Sequence, residues 1–225
     1  MVESQADVML KESLSTDVAF LVVGDPFGAT THTDLFLRAS KMNVKVQVIH
    51  NASIMNAVGA CGLQLYHFGQ TVSIPFFTET WRPSSFYDKI AVNKHAGLHT
   101  LCLLDIKVKE VSEANLFAGK LNIFEPPRFM TVQQALRQLL EVEESRNEGH
   151  CSKDCLAVGL MRVGSATQTI LAGTITELVE AEESLFGGPL HSLIIPGKAL
   201  HDLELEMLKH FAIPNSTILN MTTHQ

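Results

Sequence analysis

Asp25, Gly28, Ser53 and Ile54 lie in two short stretches, Gly24-Asp25-Pro26-Phe27-Gly28 and His50-Asn51-Ala52-Ser53-Ile54, whose residue types suit contact with a ligand. Pro26 holds Asp25 extended, and the flanking glycines let a ligand approach the backbone closely. The same residues also make an ordinary turn, so the pattern leaves both readings open. Asn51 and Ser53 stand at the entry to a helix, where free N–H groups and the positive dipole end can face a ligand. Capping alone is the more frequent explanation for such residues. Neither stretch is a Walker motif or a complete G-x-G-x-x-G, so phosphate cradling is not supported.

Other groups carry weaker signals. His150, Cys151 and Cys155 hint at a metal, but a C-x₃-C pair without a second ligand pair is a poor zinc signature, and a solvated loop is the better account. Neither H-E-x-x-H nor G-x-S-x-G occurs, which counts against hydrolase chemistry. Lys107 and Lys109 read as solvated charges, and Trp81 as an aromatic packed under the Arg82 stem.

Elements must position these residues. Val18 to Val23 is an apolar run bounded by a Gly/Pro turn, the pattern of a strand buried on both faces of an α/β sheet, where ligands sit beyond the strand's carboxyl end. A helix capped by Thr31 or Thr33 runs to Lys41, and Val44 to Ile49 alternates as a second strand, giving a βαβ unit. Met1 to Thr16 contains a short helix. A domain boundary falls near Gly69, with 1–70 forming an N-terminal domain, 71–213 a C-terminal one and 214–225 a flexible tail. In the second domain, Thr71 to Phe77 reads as a strand placed near a sheet edge by Pro75. A helix to Ala96 follows, with Ser85 and Asp88 at capping-box spacing, then a strand Thr100 to Ile106. Thr131 and Gln134 form a capping box for a helix with Val132, Leu136, Leu139 and Leu140 on one face. Glu141 to Asp154 reads as an exposed loop. Leu156–Val163 and Gln168–Thr174 form a hairpin, followed by a helix from Ile175, a strand His191–Ile195 and a helix from Ala199 to Phe211.

The chain of 225 residues is 46% hydrophobic, enough for a full core, and its net charge of -7 argues against a sequence-independent grip on nucleic acid phosphates. Four cysteines without a secretory signal do not make a disulfide framework, and no apolar run reaches the roughly 20 residues that cross a bilayer. The expected location is cytoplasmic.

Several stretches together resemble the diphthine synthase family: VAFLVVGDPFGATTHTDL from Val18, VIHNASIMNAVGACGLQLYHFG from Val48, TWRPSSFYDK from Thr80, HTLCLLDIKVKE from His99 and PLHSLII from Pro189. The resemblance implies an α/β, two-domain tetrapyrrole-methylase-like architecture of the class III methyltransferases, with a truncated, mostly parallel N-terminal sheet and a mixed C-terminal sheet with helices. It implies S-adenosylmethionine bound between the domains and methylation of a modified histidine on translation elongation factor 2, on the route to diphthamide. Cofactor contacts are implied at Asp25, Gly28, Ser53, Ile54, Leu104, Val163 and His191, with no metal, and a homodimer is expected. The run HTLCLLDIKVKE is more similar to eukaryotic members, associated with a trimethylated amine and a methyl ester. Family members carry a further strand and a Gly-Leu-Gly loop ahead of the first shared stretch. The expectation is that this segment has been lost from the sequence. Two rival readings are a nucleotide-dependent oxidoreductase, which the missing glycine fingerprint opposes, and a catalytically silent binding module.

Overall fold

The computed structural model describes residues 2–222. The chain forms two compact units, Met1–Ala57 and Val58–Gln225. In the first, α1 (Val2–Glu12) and α2 (Thr33–Lys41) bury Ala6, Leu10 and Ala39. Arg38 ties the two helices by reaching Asp34 at 2.8 Å and Asp7 at 3.4 Å. The residue before α2 is His32, which makes no side-chain cap, so neither Thr31 nor Thr33 acts as the cap expected there. A single turn, α3 (Ile54–Ala57), ends the unit.

The two runs expected as buried strands differ from expectation. Among the described residues neither 18–23 nor 44–49 pairs in a ladder, and Leu21, Val23 and Ile49 are 90%, 105% and 77% exposed. The mostly parallel N-terminal sheet is therefore not formed by these residues. An apolar run buries both faces only when strands flank it and layers cover it, and among the described residues this unit offers helices and no strand.

The second unit is built on a five-stranded sheet. β1 (Val72–Ile74) leads to α4 (Ser85–His95), then β2 (Thr100–Leu104), β3 (Ile106–Lys107), α5 (Glu113–Phe117) and β4 (Arg128–Phe129). Next come α6 (Val132–Arg146), β5 (Leu156–Met161), β6 (Thr169–Thr174), α7 (Ile175–Glu180), β7 (His191–Ile195) and α8 (Asp202–His210). The sheet order is β1-β2-β7-β5-β6, with β1 parallel to β2 and the remaining pairs antiparallel. This is the mixed sheet with helices expected of the second domain, with β1 at the edge as Pro75 indicated. β3 and β4 make a separate two-stranded ribbon.

The core lies between the sheet and helices α4, α6 and α7. Ile90 of α4, Val132, Leu136 and Leu139 of α6, and Ile175 and Leu178 of α7 are fully buried with Ile74, Cys102 and Leu193 of the sheet. The α6 stripe falls at the 3.6-residue period that the sequence displayed. Thr131 caps it by accepting from the Gln134 N–H at 3.1 Å. Two α6 glutamines turn inward to satisfy other elements. Gln133 donates to the carbonyls of Leu178, Val179 and Ala181 at the end of α7. Gln138 accepts from the Phe77 N–H and donates to the Pro75 carbonyl, continuing the hydrogen bonding of the β1 edge.

Three further expectations are corrected. Ser85 and Asp88 make no capping box, because Ser84 precedes the helix without a side-chain cap and Asp88 is drawn to Arg146 at 2.5 Å. The 141–154 segment is largely not an exposed loop: α6 continues to Arg146, and the Glu143 carboxylate accepts from Tyr87 Oη and from the N–H groups of Gly149 and Cys151. Cys151 is consequently buried and Cys155 half-buried, rather than solvated. The segment from Pro214 is packed as far as Ile218, which is fully buried, while residues 223–225 lie outside the described residues.

Candidate functional site

The first unit brings its two candidate stretches together. Asp25 Oδ1 accepts from the Phe27 N–H at 2.8 Å, and Oδ2 accepts from the Asn51 N–H at 3.1 Å and from His50 Nδ1 at 2.9 Å. These bonds, led by the one from Phe27, hold the Asp25 carboxyl below its ordinary range. Gly24, at φ 87°, takes a left-handed turn conformation suited to glycine. Gly28 lies directly against Ser53: a Cβ at Gly28 would stand 2.6 Å from the Ser53 Cβ and 2.7 Å from its hydroxyl. That contact is closer than any side chain tolerates, so only glycine lets the two loops meet. Ser53 then takes the Met55 N–H on its hydroxyl, and Asn56 Oδ1 takes the Ser53 N–H, opening the turn at Ile54.

In the second unit Leu104, Val163 and His191 come to one end of the sheet. Leu103 is in register with Ser192 and Met161 with His191, so the end of β2, the start of β7 and the turn after β5 are adjacent. His191 is buried, accepts from the Val132 N–H at 3.3 Å on Nδ1 and donates from Nε2 to the Gly188 carbonyl at 3.0 Å. Burial pushes its imidazole below its ordinary range, against the pull of the Gly188 and Gly187 contacts. Both ring nitrogens are thus used in fixing the α6 entrance and the loop before β7. Arg162, at φ 50°, anchors the same loop from the turn side, donating to the carbonyls of Phe186 at 2.9 Å and of Gly188.

One cluster that sequence reasoning missed has the composition of a metal site. Atoms of His67, His99 and Glu204 capable of ligation lie within 4.8 Å of one another. The hydrogen bonds give it another explanation. His99 Nδ1 accepts from the Gly197 N–H at 3.0 Å, so its proton sits on Nε2 and is donated to Glu204 Oε1 at 3.1 Å. Metal on Nε2 would require that proton's removal with Nδ1 already an acceptor, leaving an imidazolate. Glu204 also accepts from the Gln64 and His201 N–H groups. Burial pushes its carboxyl up, and these bonds together with His99 outweigh it, holding the net value low; burial likewise lowers His99, so the pair is carboxylate and neutral imidazole. Its spacing from His201, an acid three residues into α8, was visible in the sequence as half a capping box, though its distant partners were not.

The sequence profile of the tetrapyrrole (corrin/porphyrin) methylases matches residues 2–179. The chain is 56% identical over 213 residues to a diphthine methyl ester synthase of Gibberella zeae, covering 95% of this chain and 74% of that protein. It is 57% identical over 220 residues to the Bos taurus diphthine methyl ester synthase, covering 96% and 76%. A crystal structure from Entamoeba histolytica, provisionally assigned as a diphthine synthase, superposes with a TM-score of 0.82 at 48% identity, covering 94% of this chain and 77% of that one. The chain therefore belongs to the tetrapyrrole methylase family, among its diphthine methyl ester synthases.

Proposed function

We propose that the chain carries methyl groups from S-adenosylmethionine to the modified histidine of translation elongation factor 2, finishing with a methyl ester. It is a methyltransferase by family, and the observation that carries the finer reading is the 56–57% identity, which extends over nearly the whole chain. The proposed cofactor contacts are Asp25, Gly28, Ser53 and Ile54 in the first unit and Leu104, Val163 and His191 in the second. A protein substrate also agrees with the acidic net charge of -7, which disfavours nucleic acid. A homodimer in the cytoplasm is proposed on the same resemblance; among the described residues no helix is long and apolar enough to cross a membrane.

The donor set of the two loops fits such a cofactor. Gly28 brings backbone against Ser53 with no side chain between, and the Asp25 carboxylate sets a negative charge beside a site for a cationic molecule. The Asp25 and His191 side chains are taken up by internal bonds, so contact at these residues runs through their backbone groups. When bound, S-adenosylmethionine supplies an electrophilic methyl on a sulfonium. The protein's part is to hold the nucleophile in line with that methyl, and positioning alone can supply about 7–11 kcal/mol of barrier reduction.

Calorimetric titration with S-adenosylhomocysteine is expected to show binding that Gly28→Ala weakens at least about tenfold, or ~1.4 kcal/mol, by forcing the loops apart. Incubation with elongation factor 2 carrying the unmethylated intermediate is expected to add methyl groups, counted by mass spectrometry. Binding without transfer would overturn the substrate, and no binding would overturn the cofactor.

A further inference from the structure

We propose that His50, oriented by Asp25, is the general base that frees the substrate amine before each amine methylation; this rests on the methyl-transfer reading above. His50 lies 2.9 Å from Asp25 Oδ2 through Nδ1, and its side chain is 71% exposed while that of Asp25 is 15% exposed. Three donors converge on the Asp25 carboxylate. An ionised carboxylate only accepts, so the ring proton is fixed on Nδ1 and Nε2 keeps a lone pair. Among the described residues no hydrogen bond is made to Nε2. The groups facing the ring are the Asp25 carboxylate and the Phe27 ring, whose centroid is 6.3 Å away. The arrangement is a base whose orientation and tautomer are set by a third group, on the same two loops that are proposed to bind the cofactor.

The reaction needs such a group. An aliphatic amine is largely an ammonium near neutral pH, and an ammonium has no lone pair with which to attack. In each amine step the proton passes from the ammonium to His50 Nε2. The freed lone pair forms the N–C bond, and the electron pair of the broken S–C bond remains on sulfur as a neutral thioether. Water then takes the proton from the imidazolium. Each step thus adds one methyl and releases one proton. A carboxylate is already anionic and needs no base to form its ester, so His50 separates the two kinds of methylation. His50 is the catalytic residue, and Asp25 is the positioning residue.

Two measurements test this. The first follows amine and carboxylate methylation of elongation factor 2 separately, by mass spectrometry, in His50→Gln and Asp25→Asn. His50→Gln is expected to slow the amine steps about 100-fold near neutral pH, with recovery as pH rises towards the amine's own range. The carboxylate step falls less, so the product ratio shifts; Asp25→Asn shifts it in the same direction by less. The second is nitrogen-15 NMR of the unsubstituted protein, where the neutral ring of His50 is expected as the Nδ1–H tautomer. Equal loss of both methylations in His50→Gln, or an Nε2–H tautomer in the unsubstituted protein, overturns the proposal. Failure of the unsubstituted protein to methylate elongation factor 2 overturns instead the reading beneath it, and the proposal falls with it. The NMR result stands even where a variant does not fold.

Discussion

At the scale of single residues, acids that gather several donors organise this protein. Glu177 is the clearest case. Its Oε2 takes the Thr174 N–H at 2.8 Å and the Ser216 hydroxyl at 2.6 Å, and its Oε1 takes the Thr217 N–H at 2.8 Å. One carboxylate thus closes the capping box of α7 and holds the segment after Pro214. Burial raises its pKa, but the bonds from Ser216, Thr217 and Thr174 prevail and bring it down to about 2. The folded value lies below the unfolded one, so its contribution is complete above about pH 4.5 and is lost as pH falls towards about 2. Urea unfolding from pH 6 to pH 2 is expected to show a decline that Glu177→Gln flattens; an unchanged slope would assign the acid sensitivity elsewhere. The start of α7 at Ile175 was legible. The grip of Glu177 on Ser216 was not, because a polar stretch looks frayed until a buried acceptor is found for its donors.

At the scale of elements, the sequence was most informative where a period and a boundary residue agreed. The start of α6 after Thr131 and the span His191–Ile195 of β7 were both legible in this way. Agreement failed for Val18 to Val23, where an apolar run specifies burial but not the neighbours that would provide it. It also fell short for α8, where the expected helix from Ala199 to Phe211 gave no sign that Glu204 is buried. Fully buried, Glu204 joins the N-cap of its own helix, His201, to Gln64 and His99, which are distant in sequence. Glu204→Ala leaves the buried His99 N–H and the half-buried Gln64 N–H without their acceptor, and a loss of about 2–6 kcal/mol in unfolding free energy is expected, at about 1–3 kcal/mol for each unsatisfied donor. Chemical denaturation reads it, and a loss below about 1 kcal/mol, the range of an exposed ion pair, would show that the donors find water instead.

At the scale of the whole molecule, the two units differ in how their backbones are satisfied. The second unit has a paired sheet, and the segment after α8 covers part of its β6 edge, where Ala172 bridges Ala212. The first has extended runs outside any ladder among the described residues. Hydrogen exchange is expected to be rapid for amides of 18–23 and 44–49 and slowest in β5, β6 and β7. Mass spectrometry of exchanged peptides checks this, and protection of 18–23 equal to that of β5 would contradict it. At this scale the class of fold was legible through the resemblance carried by the shared stretches. The pairing of Asp25 with His50 was not, because 25 residues separate them and only the folded loops bring them together.

For the cofactor site proposed above, the bonds around Asp25 have a consequence for the kinetics of ligand capture. Because its carboxylate, the Phe27 and Asn51 amides and the His50 ring already fix one another, the first loop has its shape before any ligand arrives. Little conformational entropy then remains to be lost there on binding. Association at this loop is a matter of encounter rather than of waiting for the chain to order itself.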